Sequence, residues 1–138
     1  MKLRHLTLMG WVFSLFLAFA PNAWADRQQI SPGGSLSLSG SSGGPVNSQD
    51  CGFIAQTPNH VIQITDDLPY WRIMVTTSGS PTLLIDGPTG RYCMLPEGSA
   101  NSGVLQYSGY GTPGNYNIYI GDRQQGQNPY RISISDQK

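Results

Sequence analysis

The chain has 138 residues, with 8 Lys or Arg against 8 Asp or Glu, and charged residues make up only 12% of it, about half the share in an ordinary globular domain. So thin and balanced a charge leaves phosphate neutralisation little to act on, which argues against a nucleic-acid binder. Gly at 17 and Pro at 10 punctuate the chain too often for long helices, and the length suits one domain around one core.

Lys2 and Arg4 precede an apolar run over residues 6–20, followed by Pro21 and Ala23-Trp24-Ala25. This is the layout of a secretory signal, with a basic start, an apolar segment and a small-x-small cleavage site. Residues 1–25 are therefore expected to be removed and the remainder exported, to the periplasm or beyond. The competing reading is an uncleaved membrane anchor, because residues 6–25 carry no charge and about 20 such residues span a bilayer. The short apolar segment and the break at Pro21 weigh against it, and no Cys follows to accept a lipid. Losing Lys2 and Arg4 leaves a slightly acidic chain in which Lys138 is the only lysine. Cys51 and Cys93 both lie beyond the cleavage site, and in an oxidising compartment one structural disulfide is their simplest use. Two buried thiols or an intermolecular bridge are the alternatives.

Taken in order, residues 26–34 are set apart as an N-terminal segment and residues 35–138 hold the domain. Residues 35–39 read S-L-S-L-S, with Leu36 and Leu38 on one face. Residues 40–50 are rich in Gly and Ser and are expected to form a flexible loop ending near Cys51. A less regular strand is expected over 60–65. Over 70–76, Trp71, Ile73 and Val75 alternate with Tyr70, Arg72 and Met74. Irregular candidates follow at 82–86, 91–95 and 103–107. Alternation returns at 115–120, with Tyr116, Ile118 and Ile120 against Asn115, Asn117 and Tyr119, and again at 130–135, with Tyr130, Ile132 and Ile134 against Arg131, Ser133 and Ser135. Gly, Pro, Asp and Ser clusters separate these runs. A period of two with frequent breakers predicts about eight short strands in an all-β antiparallel sandwich of jelly-roll type.

Three stretches carry a family resemblance. S-P-T-L-L-I-D-G-P-T-G over 80–90 resembles the strand and turn "DPxLxLxxPxG" of bacterial pre-peptidase C-terminal domains. T-P-G-N-Y-N-I-Y-I-G over 112–121 is similar to their "xxGxYxVxVG" strand, and N-P-Y-R-I-S-I-S over 128–135 to their closing "GPYxLxIS" strand. The resemblance implies a jelly-roll sandwich of the kind attached, without catalytic role, to exported peptidases and other enzymes. Two features depart from that pattern: no enzyme domain accompanies it, and Pro96-Glu97-Gly98-Ser99-Ala100-Asn101 replaces the acidic cluster that often follows the "PxG" turn.

Catalytic apparatus is sparse. His60 is the one histidine beyond residue 25, and it reads as an ordinary residue opening a strand, with no nucleophile elbow in sight. The remaining carboxylates mostly sit in turns beside Gly or Pro, where Asp bonds to local backbone. No metalloprotease helix motif, phosphate loop or dinucleotide fingerprint occurs. Asp66-Asp67 is a weak calcium candidate, since adjacent carboxylates in a loop are hard oxygen donors, but a solvated turn before Pro69 is the plainer reading. No other cofactor is expected. If Trp71 points inward, Tyr70 and Arg72 point outward, as do Asn117 and Tyr119 on their strand. Should the two strands share a sheet, these four residues would form a shallow face for stacking on a neutral glycan or docking an extended peptide. Tyr107 and Tyr110 are a second, weaker candidate. The leading expectation is an exported non-catalytic module binding a protein or cell-envelope component, and the alternative is a small carbohydrate-binding protein.

Overall fold

The computed structural model describes residues 26–96 and 103–138. The expected signal at 1–25 and residues 97–102 lie outside the described residues. Among the described residues there are eleven strands and no helix: β1 (Asp26–Ile30), β2 (Ser35–Ser41), β3 (Val46–Asn47), β4 (Phe53–Ile54), β5 (His60–Ile64), β6 (Leu68–Thr77), β7 (Pro81–Gly87), β8 (Gly90–Met94), β9 (Val104–Gly111), β10 (Gly114–Asp122) and β11 (Pro129–Ser135). No described helix is therefore long and apolar enough to cross a membrane.

Two sheets result, one of seven strands and one of four. In the larger sheet β10 is central. It pairs along one side with β7, which carries β8, and on the other with β5 and then β4. β1 completes this sheet as a parallel neighbour of β5, and the short β3 lies beside β4. The smaller sheet runs β2-β11-β6-β9, antiparallel throughout.

The alternation seen in sequence decides which side chains enter the space between the sheets. Trp71, Ile73 and Val75 from β6 and Ile132 and Ile134 from β11 meet Ile62, Ile64, Tyr116, Ile118 and Ile120 from β5 and β10. The Trp71 and Tyr116 rings are 4.9 Å apart between centroids, and Tyr107 meets the Trp71 edge at 5.8 Å. Tyr116 also closes its own entry turn, because its hydroxyl donates to the Thr112 carbonyl at 2.9 Å and accepts from the Thr112 amide at 3.1 Å. Its ring lies on Gly87, where a Cβ would stand 2.3 Å from a ring carbon. The Gly of the Asp86-Gly87-Pro88-Thr89-Gly90 turn is thus demanded by packing as well as by the hairpin.

His60 and Tyr130 tie the sheets together at one end. Both are buried, and the Tyr130 hydroxyl lies 2.7 Å from His60 Nε2 with the rings edge to face. Gly40, facing Tyr130 across the β2–β11 pair, makes room for the ring, since a Cβ there would lie 2.5 Å from the hydroxyl oxygen. This is why the Leu36, Leu38 alternation ends in glycine.

All eight expected strands are found, and three more. β1 comes from the segment set apart at 26–34, which instead supplies an edge of the larger sheet. β3 and β4 come from the region expected to be loop or left unassigned around Cys51. Their strands are too short to show a period, and they form because the disulfide pins the segment down. Cys51 bonds to Cys93 of β8 with Cα atoms 5.7 Å apart. The segment then folds as a flap over the larger sheet, where Cys51, Ile54 and Leu84 make a second apolar cluster with Val46, Cys93 and Tyr119 packed on it. The flap explains why Leu84, on the outward side of β7, is fully buried.

Replacing both cysteines by Ala is expected to lower unfolding free energy by about 2–4 kcal/mol, read from the urea midpoint; an unchanged midpoint would mean the flap is held by packing alone. Tyr130→Phe removes the partner of a buried imidazole nitrogen and is expected to cost about 1–3 kcal/mol in the same measurement.

Candidate functional site

A sandwich with a filled interior offers its two outer faces, its ends and its edges for recognition. The outer faces here differ in kind. That of the seven-stranded sheet carries two side-chain pairs and a covering segment. Across it, Arg27, Val61, Asn117, Asp86 and Arg91 stand in register on β1, β5, β10, β7 and β8. One row away, Gln29 donates to Gln63 at 2.9 Å. At the flap, Arg91 grips Asp50 through two hydrogen bonds, Nη2 to Oδ1 at 2.7 Å and Nε to Oδ2 at 3.0 Å. The Arg91 guanidinium holds the Asp50 carboxyl below its usual range, and Asp50 in turn raises Arg91. Tyr119 is half-buried against the flap cluster, and that burial, with Asp86 adding to it, pushes its hydroxyl up.

The outer face of the four-stranded sheet is open. It presents Ser35, Ser37 and Ser39 from β2, Arg131, Ser133 and Ser135 from β11, Tyr70, Arg72, Met74 and Thr76 from β6, and Val104, Gln106 and Ser108 from β9. Arg131 pairs across to Ser39 and Thr76, and Arg72 to Ser135 and Ser108. Two shallow depressions adjoin at Arg131, one lined also by Ser39, Gly40, Thr76, Pro129 and Tyr130, the other by Ser37, Leu38 and Ser39. Lys138 sits with its ammonium 5.7 Å over the Tyr70 ring.

This arrangement corrects the composite face expected from sequence. β6 belongs to the smaller sheet and β10 to the larger, so Tyr70 and Arg72 look out on one side of the sandwich and Asn117 and Tyr119 on the other. Alternation tells which way a side chain points from its own sheet, but not which sheet the strand joins. The carbohydrate reading that needed all four residues together loses its geometry. Tyr107 and Tyr110 also separate: Tyr107 turns inward to Trp71 and Tyr92, whereas Tyr110 is 54% exposed, with Asp67 holding its hydroxyl pKa up. Sequence reasoning passed over Arg131 as a site residue. Its alternation with Ile132 was plain, and the signal that marks it, a set of strands without any acidic residue, appears only when the sheet partners are known.

The candidates for chemistry have structural work. His60 is buried against Tyr130 and has no open approach. Asp122 is 2% exposed, and its two oxygens accept from the Ser80 and Gln124 amides at 3.2 and 2.8 Å, so it binds two loops together. Asp66 accepts from the Thr65 hydroxyl at 3.1 Å. Among the described residues no three His, Cys, Asp or Glu side chains stand together as metal ligands, and Asp66-Asp67 gains no third carboxylate.

Set beside solved structures, the chain has the fold of a pre-peptidase C-terminal domain: it superposes on that domain of collagenase from Bacillus anthracis with a TM-score of 0.53, covering 83% of this chain and 99% of the other at 16% identity. The chain belongs to the same family as an uncharacterized protein of Synechococcus elongatus, to which it is 40% identical over 117 residues, 82% of this chain and 84% of the relative. No protein-family model matches it.

The Asp50 carboxyl is lowered by folding, so its pairing with Arg91 stabilises the protein at neutral pH and the contribution is lost as pH falls through the carboxylate range. Both groups are about half exposed, which limits the effect. Urea denaturation is expected to find Arg91→Gln weaker than the parent by a few tenths of a kcal/mol at pH 7, with the gap closing as pH falls below the ordinary carboxylate range; a constant gap would remove the ion pair as its source.

Proposed function

We propose that the chain is an exported, non-catalytic binding module that docks a cell-envelope component on the outer face of its four-stranded sheet. The observation that carries this reading is the inequality of the two outer faces. One is capped by a disulfide-pinned flap and carries the Gln29–Gln63 and Arg91–Asp50 pairs, while the other is polar and, among the described residues, open. Export is supported by the signal-like layout of residues 1–25 and by a disulfide that suits an oxidising compartment. A non-catalytic role is supported by the burial of His60 and the structural use of Asp122, and by likeness in fold to a domain appended to a collagenase.

Pelleting of the purified 26–138 domain with isolated envelopes tests the reading. Ser133→Trp puts a bulky side chain in the middle of the open face, and Asn115→Trp does so on the opposite sheet. Ser133→Trp is expected to lower envelope binding about tenfold, equivalent to roughly 1.4 kcal/mol, and Asn115→Trp to leave it unchanged. Equal effects of the two, or none from either, would overturn the assignment of the face.

A further inference from the structure

We propose that the open face of the four-stranded sheet binds a carboxylate-bearing polysaccharide, a polyuronate, with Arg131 and Arg72 as its two anchors. The proposal rests on the reading above that this face is the binding face, and adds the chemistry of what it binds. β2, β6, β9 and β11 contain no Asp or Glu. Their only charged side chains are Arg72 and Arg131, both on the outward side. Unlike Arg91, which is engaged by Asp50, neither has an ion pair among the described residues. In a chain with as many acidic as basic side chains, this sorting leaves four strands whose only charges are cationic, and Lys138 over Tyr70 adds the same sign at one end, where Asp67 bonds the Tyr110 hydroxyl.

The spacing favours an extended ligand over a small anion. Arg72 stands across from Ser135, four residues along β11 from Arg131, which is roughly 14 Å at the rise of a strand. The groups between and beside the arginines are mainly hydroxyls, with Ser133 paired to Met74 on one side and Ser37 on the other, and Ser39 beside Arg131. Serine hydroxyls both donate and accept, as sugar hydroxyls do, and the guanidinium fork matches a carboxylate with two parallel bonds. A protein partner is less well served, because its affinity would depend on buried aromatic and apolar anchors, and the large side chains offered for that purpose among the described residues, Met74, Val104, Tyr70 and Tyr110, are scattered among polar ones. Nucleic acid is served poorly as well, since two arginines neutralise few phosphates.

Affinity electrophoresis or calorimetry with polygalacturonate, at low and at physiological salt, tests the proposal on the 26–138 domain. The parent is expected to bind, more weakly as salt rises, and dextran is not. Arg72→Gln with Arg131→Gln together should weaken binding about tenfold or more. Arg131→Lys, which keeps the charge and loses the fork, should also weaken it, and Arg123→Gln, on a distant loop, should not. Thermal melts check that each variant folds. Undiminished binding by the double variant, equal binding of dextran, or equal binding of polyglutamate or single-stranded DNA would overturn the proposal. If polygalacturonate is not bound while envelope pelleting remains sensitive to Ser133→Trp, the ligand class is wrong and the face stands; if Ser133→Trp has no effect, the face itself is wrong.

Discussion

The contact between Trp71 and Tyr116 carries the sandwich. Each ring comes from a strand interior to its sheet, β6 in one and β10 in the other, and their centroids meet at 4.9 Å. Two large aromatic side chains remove more apolar surface from water than the aliphatic pairs around them, and their position sets the phase of both strands. Once Trp71 points in, Ile73 and Val75 follow and Arg72 is turned out. Once Tyr116 points in, Ile118 and Ile120 follow. A slip of one residue in either strand would bury Arg72 or Asn117 and expose an isoleucine, so the register is strongly determined.

The polar contacts arranged around that core are placed where the two sheets would otherwise part. Tyr130 and His60 join them at one end, and Asp122 binds the loop that leads into β7 to the loop that leaves β10. Because they are consumed in holding the fold, His60 and Asp122 are withdrawn from the surface. The disulfide acts on a different layer. By pinning the flap across β7 and β8 it buries the outer face of the larger sheet near Leu84 and Tyr119, which converts a face that alternation alone would leave open into a second small core. The asymmetry between the two outer faces follows from that single link, and the functional reading follows from the asymmetry.

The strands with clear alternation, at Tyr70 to Thr76, Asn115 to Ile120 and Tyr130 to Ser135, were legible because a half-buried antiparallel strand writes its two faces into successive residues. β3 and β4 were not, since two residues carry no period and their order comes from Cys51. β1 lacked an alternating signal because Asp26–Ile30 is polar except at its last residue, and its place beside β5 comes from backbone pairing together with the burial of Ile30, its one apolar residue. The candidate face divided in the same way. The outward direction of Tyr70, Arg72, Asn117 and Tyr119 was readable, but their grouping was not.

By itself, the sequence determined the fold class and the inward set of each long strand, and pointed to one disulfide as the simplest use of its two cysteines, because these follow from residue type and period. Only the tertiary structure decided which strands share a sheet. It thereby separated Asn117 and Tyr119 from Tyr70 and Arg72, and brought Arg131 beside Ser39 and Thr76 from distant parts of the chain. It also sorted a charge that sums to zero along the chain into one face with no acidic side chain on its strands and another where Arg91 meets Asp50. Net charge is a sum over the sequence, whereas the charge a ligand meets is a sum over one surface, and strand pairing is what converts the first into the second.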